Sequence, residues 1–240
     1  MHEDANIAVI ATMETENPKT GNMIQIWILP KDISPLDAVR TGQDDIVCFD
    51  CKHRGAVEIG PNGIQRVVGR TCYVKVFQAP TAVYGAYSRG KYPVLDPRDY
   101  KFVFKGRKVR FGAYGEPVLI PLATMRAIAA VCDGWTGYTH QWRRHEYRAY
   151  RAYLMASCDS ESERISARAL GWRTFRVRTE NQPLVAGEIM CPASEEAGKR
   201  TTCERCNLCD GSRATDARKD IAIIVHGSSA AKFINIEGVK

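Results

Sequence analysis

Tyr153-Leu154-Met155-Ala156-Ser157-Cys158-Asp159-Ser160, followed by Glu161 to Leu170, Gly171 and Trp172-Arg173-Thr174-Phe175-Arg176-Val177, contains the pieces of a strand, a helix and a second strand. Tyr153 to Ala156 is a short apolar run. The serine and acids after it supply side-chain acceptors for the free amides of a helix start, and Gly171 suits the left-handed residue that closes a helix. Trp172 to Val177 is again β-like. A strand, a capped helix and a strand within 25 residues make a βαβ unit, whose strands are parallel and whose crossover is right-handed.

The same rhythm extends to both sides. Upstream, Lys108 to Gly112 reads as a strand, Ala123 to Val131 as a helix of good formers, and Trp135 to Thr139 as a strand. Downstream, Ile221-Ala222-Ile223-Ile224-Val225 reads as a buried strand. Near the N-terminus, Ile7 to Ile10 and Ile24 to Leu29 are β-like runs separated by the turn-rich Glu16 to Gly21, which predicts a hairpin. Ala79 to Arg89, with Pro80 in its first turn, predicts a helix. The reading is one α/β domain over 1–240: a partial (β/α) barrel of about six mainly parallel strands, with an N-terminal hairpin and two cysteine-rich inserts at 46–78 and 181–219.

A content of 45% hydrophobic and 25% charged residues is enough to bury a core and excludes a disordered chain. No apolar run reaches the roughly 18 residues of a membrane span, and Met1-His2-Glu3-Asp4 resembles no export signal, so a cytoplasmic protein without membrane contact is expected. In a reducing compartment the nine cysteines are metal ligands or free thiols rather than disulfides, and their odd number agrees. A net charge of +7 permits an anionic partner such as nucleic acid or a nucleotide. Arg143 to Arg151, where arginines alternate with tyrosines, suits phosphates and stacked bases, and equally a solvated helix face.

Cys191-Pro192 and Cys203-Glu204-Arg205-Cys206-Asn207-Leu208-Cys209 offer four thiolates in a polar loop that has little reason to bury them. A run of two-residue gaps plus a distant Cys-Pro is closer to four-iron cluster ligation than to paired zinc knuckles, and a 4Fe-4S cluster is the leading expectation, with zinc as the alternative. Cys48, Cys51 and Cys72 form a second group of three. Three ligands leave a coordination position open, as a catalytic metal requires, unless His53 closes a structural zinc site. Cys132 and Cys158 fit packing thiols.

Ligands of parallel α/β folds gather at the C-terminal ends of strands. Glu116, His140, Asp159 and His226 follow successive strands, and Arg176 and Arg178 share one face of theirs by the two-residue period. These six are the candidate catalytic residues.

Phe111 to Pro121, with Gly115-Glu116 at its centre, resembles the glycine–glutamate segment of radical S-adenosylmethionine enzymes. The resemblance implies that Glu116 meets the ammonium of S-adenosylmethionine, with Gly115 allowing close approach, and that a protein electron donor serves the cluster. The spacing of Cys48, Cys51 and Cys72 departs from that superfamily's usual Cys-x3-Cys-x2-Cys. Gly171 to Val177, Cys191 to Cys209 and Ile221 to Gly227 also resemble an uncharacterised bacteriophage family named for phage gene product eighty-eight, which implies action in an infected bacterium. Two expectations follow: an iron–sulfur enzyme with one or two clusters acting on an anionic substrate, or a zinc-stabilised nucleic-acid-binding protein of phage replication without redox chemistry.

Overall fold

The computed structural model describes residues 6–227 and 230–237. Its centre is one sheet of eight strands: β1 (Ile7–Thr12), β2 (Ile24–Pro30), β5 (Lys108–Tyr114), β6 (Gly134–Thr139), β7 (Met155–Cys158), β8 (Thr174–Arg178), β9 (Glu188–Met190) and β10 (Asp220–Ile224). Their order is β1-β2-β5-β6-β7-β8-β10-β9, and a separate two-stranded ribbon joins β3 (Ala56–Ile59) to β4 (Gln65–Val68). β1 and β2 pair antiparallel, as the hairpin reading expects, and every other pairing in the large sheet is parallel.

Eight strands replace the six expected, for two reasons. β2 is not confined to the hairpin, because its other edge pairs in parallel with β5. β9 lies inside the second cysteine-rich insert, where Glu188-Ile189-Met190 is too short to stand out from polar surroundings.

The βαβ unit of the opening stretch forms as read. α6 (Glu161–Ala169) starts at Ser160, whose hydroxyl accepts the Glu163 amide, and Gly171 follows at φ +82°. α5 (Leu122–Ala129) links β5 to β6. β5, β6, β7 and β8 are neighbours in chain order, so right-handed connections put α5 and α6 on one face. On that face Val109, Phe111, Ala156 and Cys158 pack with Met125, Ile128 and Ala167. Each fully buried aliphatic side chain there stabilises the fold by about 1.5–3 kcal/mol.

After β9 the direction of travel reverses. The chain passes to the edge as β9, then returns to lie between β8 and β9 as β10. A right-handed connection made in the opposite direction crosses the opposite face, so residues 191–219 land on the side of the sheet that α5 and α6 leave open. A second apolar cluster there joins Met155, Ile221 and Ile223 to Cys191 and Cys209.

Candidate metal centre in a cavity on the open face

A cavity of about 380 Å³ occupies this second face. Its floor is made by alternate residues of the strands: Arg110, Gly112 and Tyr114, then Thr136 and Tyr138, Ser157, Phe175 and Val177, and Ile221 and Ile223. All seven cysteines of the two inserts line its walls, and all are free thiols.

The first insert reaches the cavity through α2 (Asp45–Cys48), a 3-10 turn at Lys52–Arg54 and the β3–β4 ribbon. Asp44, 2% exposed, fixes this loop. Its carboxylate accepts Arg54 Nε at 2.9 Å and Nη2 at 2.7 Å, and Arg70 Nη1 at 3.2 Å. Arg54 also donates to the carbonyls of Phe49 and Gly42. Phe49, between Cys48 and Cys51, has φ 51° and ψ −134°, a conformation costly for a bulky residue that the arginine contacts sustain. Burial pushes the Cys48 thiol well up, and Cys72, Asp44 and Cys51 push it further, so these thiols act on one another electrostatically.

The second insert supplies Cys191 beyond β9, and Cys203 and Cys206 on the short α7 (Cys203–Cys206). Asn207 follows at φ 50°, the left-handed turn that brings Cys209 round. The Cys209 carbonyl accepts the Gly137 amide at 3.2 Å, and Lys108 Nζ donates to the Glu204 carbonyl at 2.6 Å. A side chain at Gly134 would meet Asn207 at 2.8 Å. These contacts seat the quartet beside the N-terminal halves of β5 and β6. Burial raises the Cys209 pKa, and Cys191, Cys203 and Cys206 add to it, against a hydrogen bond with Tyr138. Buried thiols that repel one another as anions stay protonated unless a cation joins them.

The two groups occupy different ends of the cavity. Tyr114 is raised by burial and by Cys48, whereas Arg110 feels Tyr73, Tyr138 and Cys203. Four residues of strand between Arg110 and Tyr114 span about 13 Å. Four thiolates around one zinc ion stand about 3.8 Å apart, from Zn–S bonds near 2.3 Å. Among the described residues no three thiols lie within 4.8 Å of one another.

The strand-end residues divide. Glu116, 5% exposed, accepts the Thr139 hydroxyl at 2.6 Å and the His140 amide at 3.0 Å, and its Oε1 is 3.4 Å from His140 Nδ1. Burial opposes protonation of His140, but Cys51 and Glu116 outweigh it and hold its pKa well above the ordinary histidine value. Asp159 receives His53 Nε2 at 2.9 Å and Lys52 Nζ at 3.0 Å. Burial would raise its pKa, but His53, His140 and Lys52 keep it well below the usual carboxylate range. His226 is exposed at the rim, its Nδ1 3.1 Å from the Ile224 carbonyl.

Arg176 and Arg178 do not join these groups, which corrects the expectation that they ring the same mouth. They do share a face, but it is the opposite one: Phe175 and Val177 point into the cavity and the arginines away from it. Arg176 donates to Glu188 through Nε at 2.7 Å and Nη2 at 2.6 Å, and Arg178 donates to the Gln182 carbonyl at 2.7 Å. Both serve the sheet edge. Gly115 is corrected in part: it lines the cavity, but its φ of +79° and the Ile28 carbonyl, 2.5 Å from where a Cβ would stand, show that β2 is what excludes a side chain there. The Arg143 to Arg151 stretch forms 3-10 turns in which Tyr150 is buried on the Ile120 carbonyl and Tyr147 leans on Phe49, so its tyrosines offer no platform for bases.

Three further residues, Arg110, Tyr114 and Asn207, escape a reading by motif. With Asp159 they line the cavity, and each of the four has a buried polar atom without a hydrogen-bond partner: Arg110 Nε, Tyr114 Oη, Asn207 Oδ1 and Asp159 Oδ1. Such atoms are costly unless a ligand satisfies them. The sequence signal was faint, since an arginine alternating with apolar residues in β5 reads as solvent-facing.

No protein-family model matches the chain, and no curated protein or solved structure matches it. Among the described residues no helix is long and apolar enough to cross a membrane.

Proposed function

We propose that the chain is an iron–sulfur enzyme related to the radical S-adenosylmethionine proteins, encoded by a phage and acting on a small anionic substrate such as a nucleotide. The observation that carries this reading is the convergence of seven free thiols, from inserts about 120 residues apart in sequence, on one cavity. Cys191, Cys203, Cys206 and Cys209 would hold one cluster with a full set of four thiolates. Cys48, Cys51 and Cys72 would hold a second with one iron open. The chemistry such a cluster supplies is one-electron transfer, with a protein electron donor as its source.

The chain's own residues support the remainder. The mostly parallel sheet, with β5 to β8 in sequential order, helices on one face and the cavity on the other, supports the reading, although its eight strands run from edge β1 to edge β9 and do not form the six-stranded barrel expected. Glu116 offers a carboxylate at the cavity wall beside the three-thiol group, where an ammonium group is recognised. Arg110, half-buried and donating to Tyr73 at 2.8 Å, offers a cation to an anionic substrate. A cavity of about 380 Å³ suits a small molecule or a single nucleotide rather than a duplex.

Anaerobic reconstitution with iron and sulfide tests this on the intact chain and on two variants, Cys48→Ser with Cys51→Ser and Cys72→Ser, and Cys203→Ser with Cys206→Ser and Cys209→Ser. The intact chain is expected to bind iron and sulfide in equal amounts, and each variant about half as much. Calorimetric titration with S-adenosylmethionine is expected to give heat with the intact chain and none with the first variant. A colourless protein that binds zinc and no sulfide would instead support a zinc-stabilised nucleic-acid-binding protein.

A further inference from the structure

His53 and His140 lie beside the three-thiol group, His53 bonded to the Thr71 hydroxyl and the Asp159 carboxylate, and His140 set against Cys51 and the Glu116 carboxylate. Among the described residues, His53, His140 and Asp159 are the one set of three whose ligand atoms all fall within 4.8 Å of one another. We infer that these three hold a divalent cation of their own, zinc or ferrous iron, apart from any metal on the thiols and with coordination open to the cavity.

The spacing suits an ion. His53 Nε2 and Asp159 Oδ2 are 2.9 Å apart. Two ligands at about 2.0–2.2 Å from one metal stand roughly 3 Å apart at a right angle and roughly 3.4 Å apart at a tetrahedral ion, so an ion replaces that hydrogen bond with a separation of about half an ångström at most. The rings of His53 and His140 meet edge to face at 5.3 Å, and that of His53 stacks on Phe233 at 5.6 Å, which fixes its plane.

The surroundings are those of a metal ligand set. His53 uses Nδ1 on the Thr71 hydroxyl at 2.7 Å, which directs Nε2 at the site. His140 has Nδ1 against Glu116 Oε1 at 3.4 Å, the carboxylate–histidine pairing that orients a ligating imidazole. Asp159 is 1% exposed, and its Oδ1 is buried without a partner. That oxygen is a second, independent sign of something the protein atoms do not supply. Two imidazoles and one carboxylate suit zinc or ferrous iron better than magnesium, which prefers oxygen, and three protein ligands leave room for water or an oxygen of an anionic ligand. Lys52, with Nζ 3.0 Å from Asp159 Oδ2, competes for the carboxylate, and at 40% side-chain exposure it is free to swing into solvent.

The inference does not depend on iron–sulfur chemistry, and its test keeps the two apart. Cobalt(II) is titrated anaerobically into the full chain, with total bound cobalt measured by elemental analysis and thiolate-bound cobalt by its sulfur-to-metal charge-transfer absorption. The intact chain and the Cys48→Ser/Cys51→Ser/Cys72→Ser variant are each expected to bind one cobalt beyond the sulfur-bound amount. Asp159→Asn and His53→Gln are expected to weaken that ion at least tenfold, while the absorption of cobalt on the Cys191–Cys209 quartet persists and reports an intact fold. Lys52→Met is expected to tighten it. The inference is overturned if the intact chain binds no cobalt beyond the sulfur-bound amount, if Asp159→Asn leaves that extra ion unchanged, or if the ion disappears with the three thiols.

Discussion

Replacing Arg176 by Met separates the structural role assigned to this side chain from a role in binding substrate. The Arg176 guanidinium is 2% exposed and the Glu188 carboxylate is fully buried, joined by hydrogen bonds of 2.7 and 2.6 Å. The Val185 amide adds a third contact to the carboxylate at 3.1 Å. Charge-assisted hydrogen bonds contribute about 1.5–3 kcal/mol each, so losing two predicts about 3–6 kcal/mol. Stranding one member of a buried ion pair independently predicts about 3–5 kcal/mol. Urea unfolding of Arg176→Met should therefore show a loss near 4 kcal/mol, and adding Glu188→Leu should recover most of it by removing the stranded charge. The pH dependence carries the same signature. Burial raises the Glu188 pKa, but the Arg176 bonds, the Val185 amide and the Arg176 and Arg164 charges outweigh it and leave it lowered. The stability contributed by a lowered carboxylate is present above its unfolded pKa and lost as pH falls through the folded one, so the wild-type advantage over the double variant shrinks in acid. A single variant within about 1 kcal/mol of wild type would refute the reasoning.

Further outcomes follow from the same contacts. Gly115→Ala sets a Cβ 2.5 Å from the Ile28 carbonyl at a φ of +79°, and should lower stability by about 2 kcal/mol or more, read from thermal melting. Asp44→Asn removes the charge that Arg54 and Arg70 share, and should speed amide hydrogen exchange at Cys48 to Arg54 while leaving the β5–β6 amides protected. Cys158→Ala, on the helix-packed face, should leave metal content unchanged and cost about 1 kcal/mol in stability, whereas Cys209→Ala should reduce metal content.

The βαβ unit from Tyr153 to Val177 was legible because each signal in it is local: an apolar run, a serine cap and a closing glycine. β2 and β9 were read incompletely because membership of a sheet depends on partners far along the chain. The two-residue period correctly paired Arg176 with Arg178, but period alone does not say which face is the wet one. Here the apolar residues Phe175 and Val177 face the cavity, and the arginines are buried against Glu188 and carbonyl groups. His53 stood out as a neighbour of Cys51, yet its partner Asp159 is 106 residues away and no spacing rule connects them. The meeting of the two cysteine groups depends on the reversal between β9 and β10, a feature of topology that a motif does not encode.

Anomalous scattering at the iron edge, from crystals of protein purified without oxygen, locates metal atoms directly. The account predicts iron at both thiol groups of the cavity, one peak among Cys48, Cys51 and Cys72 and one among Cys191, Cys203, Cys206 and Cys209, besides any ion held by His53, His140 and Asp159. Iron missing from both positions, or a signal only at the zinc edge, would contradict it.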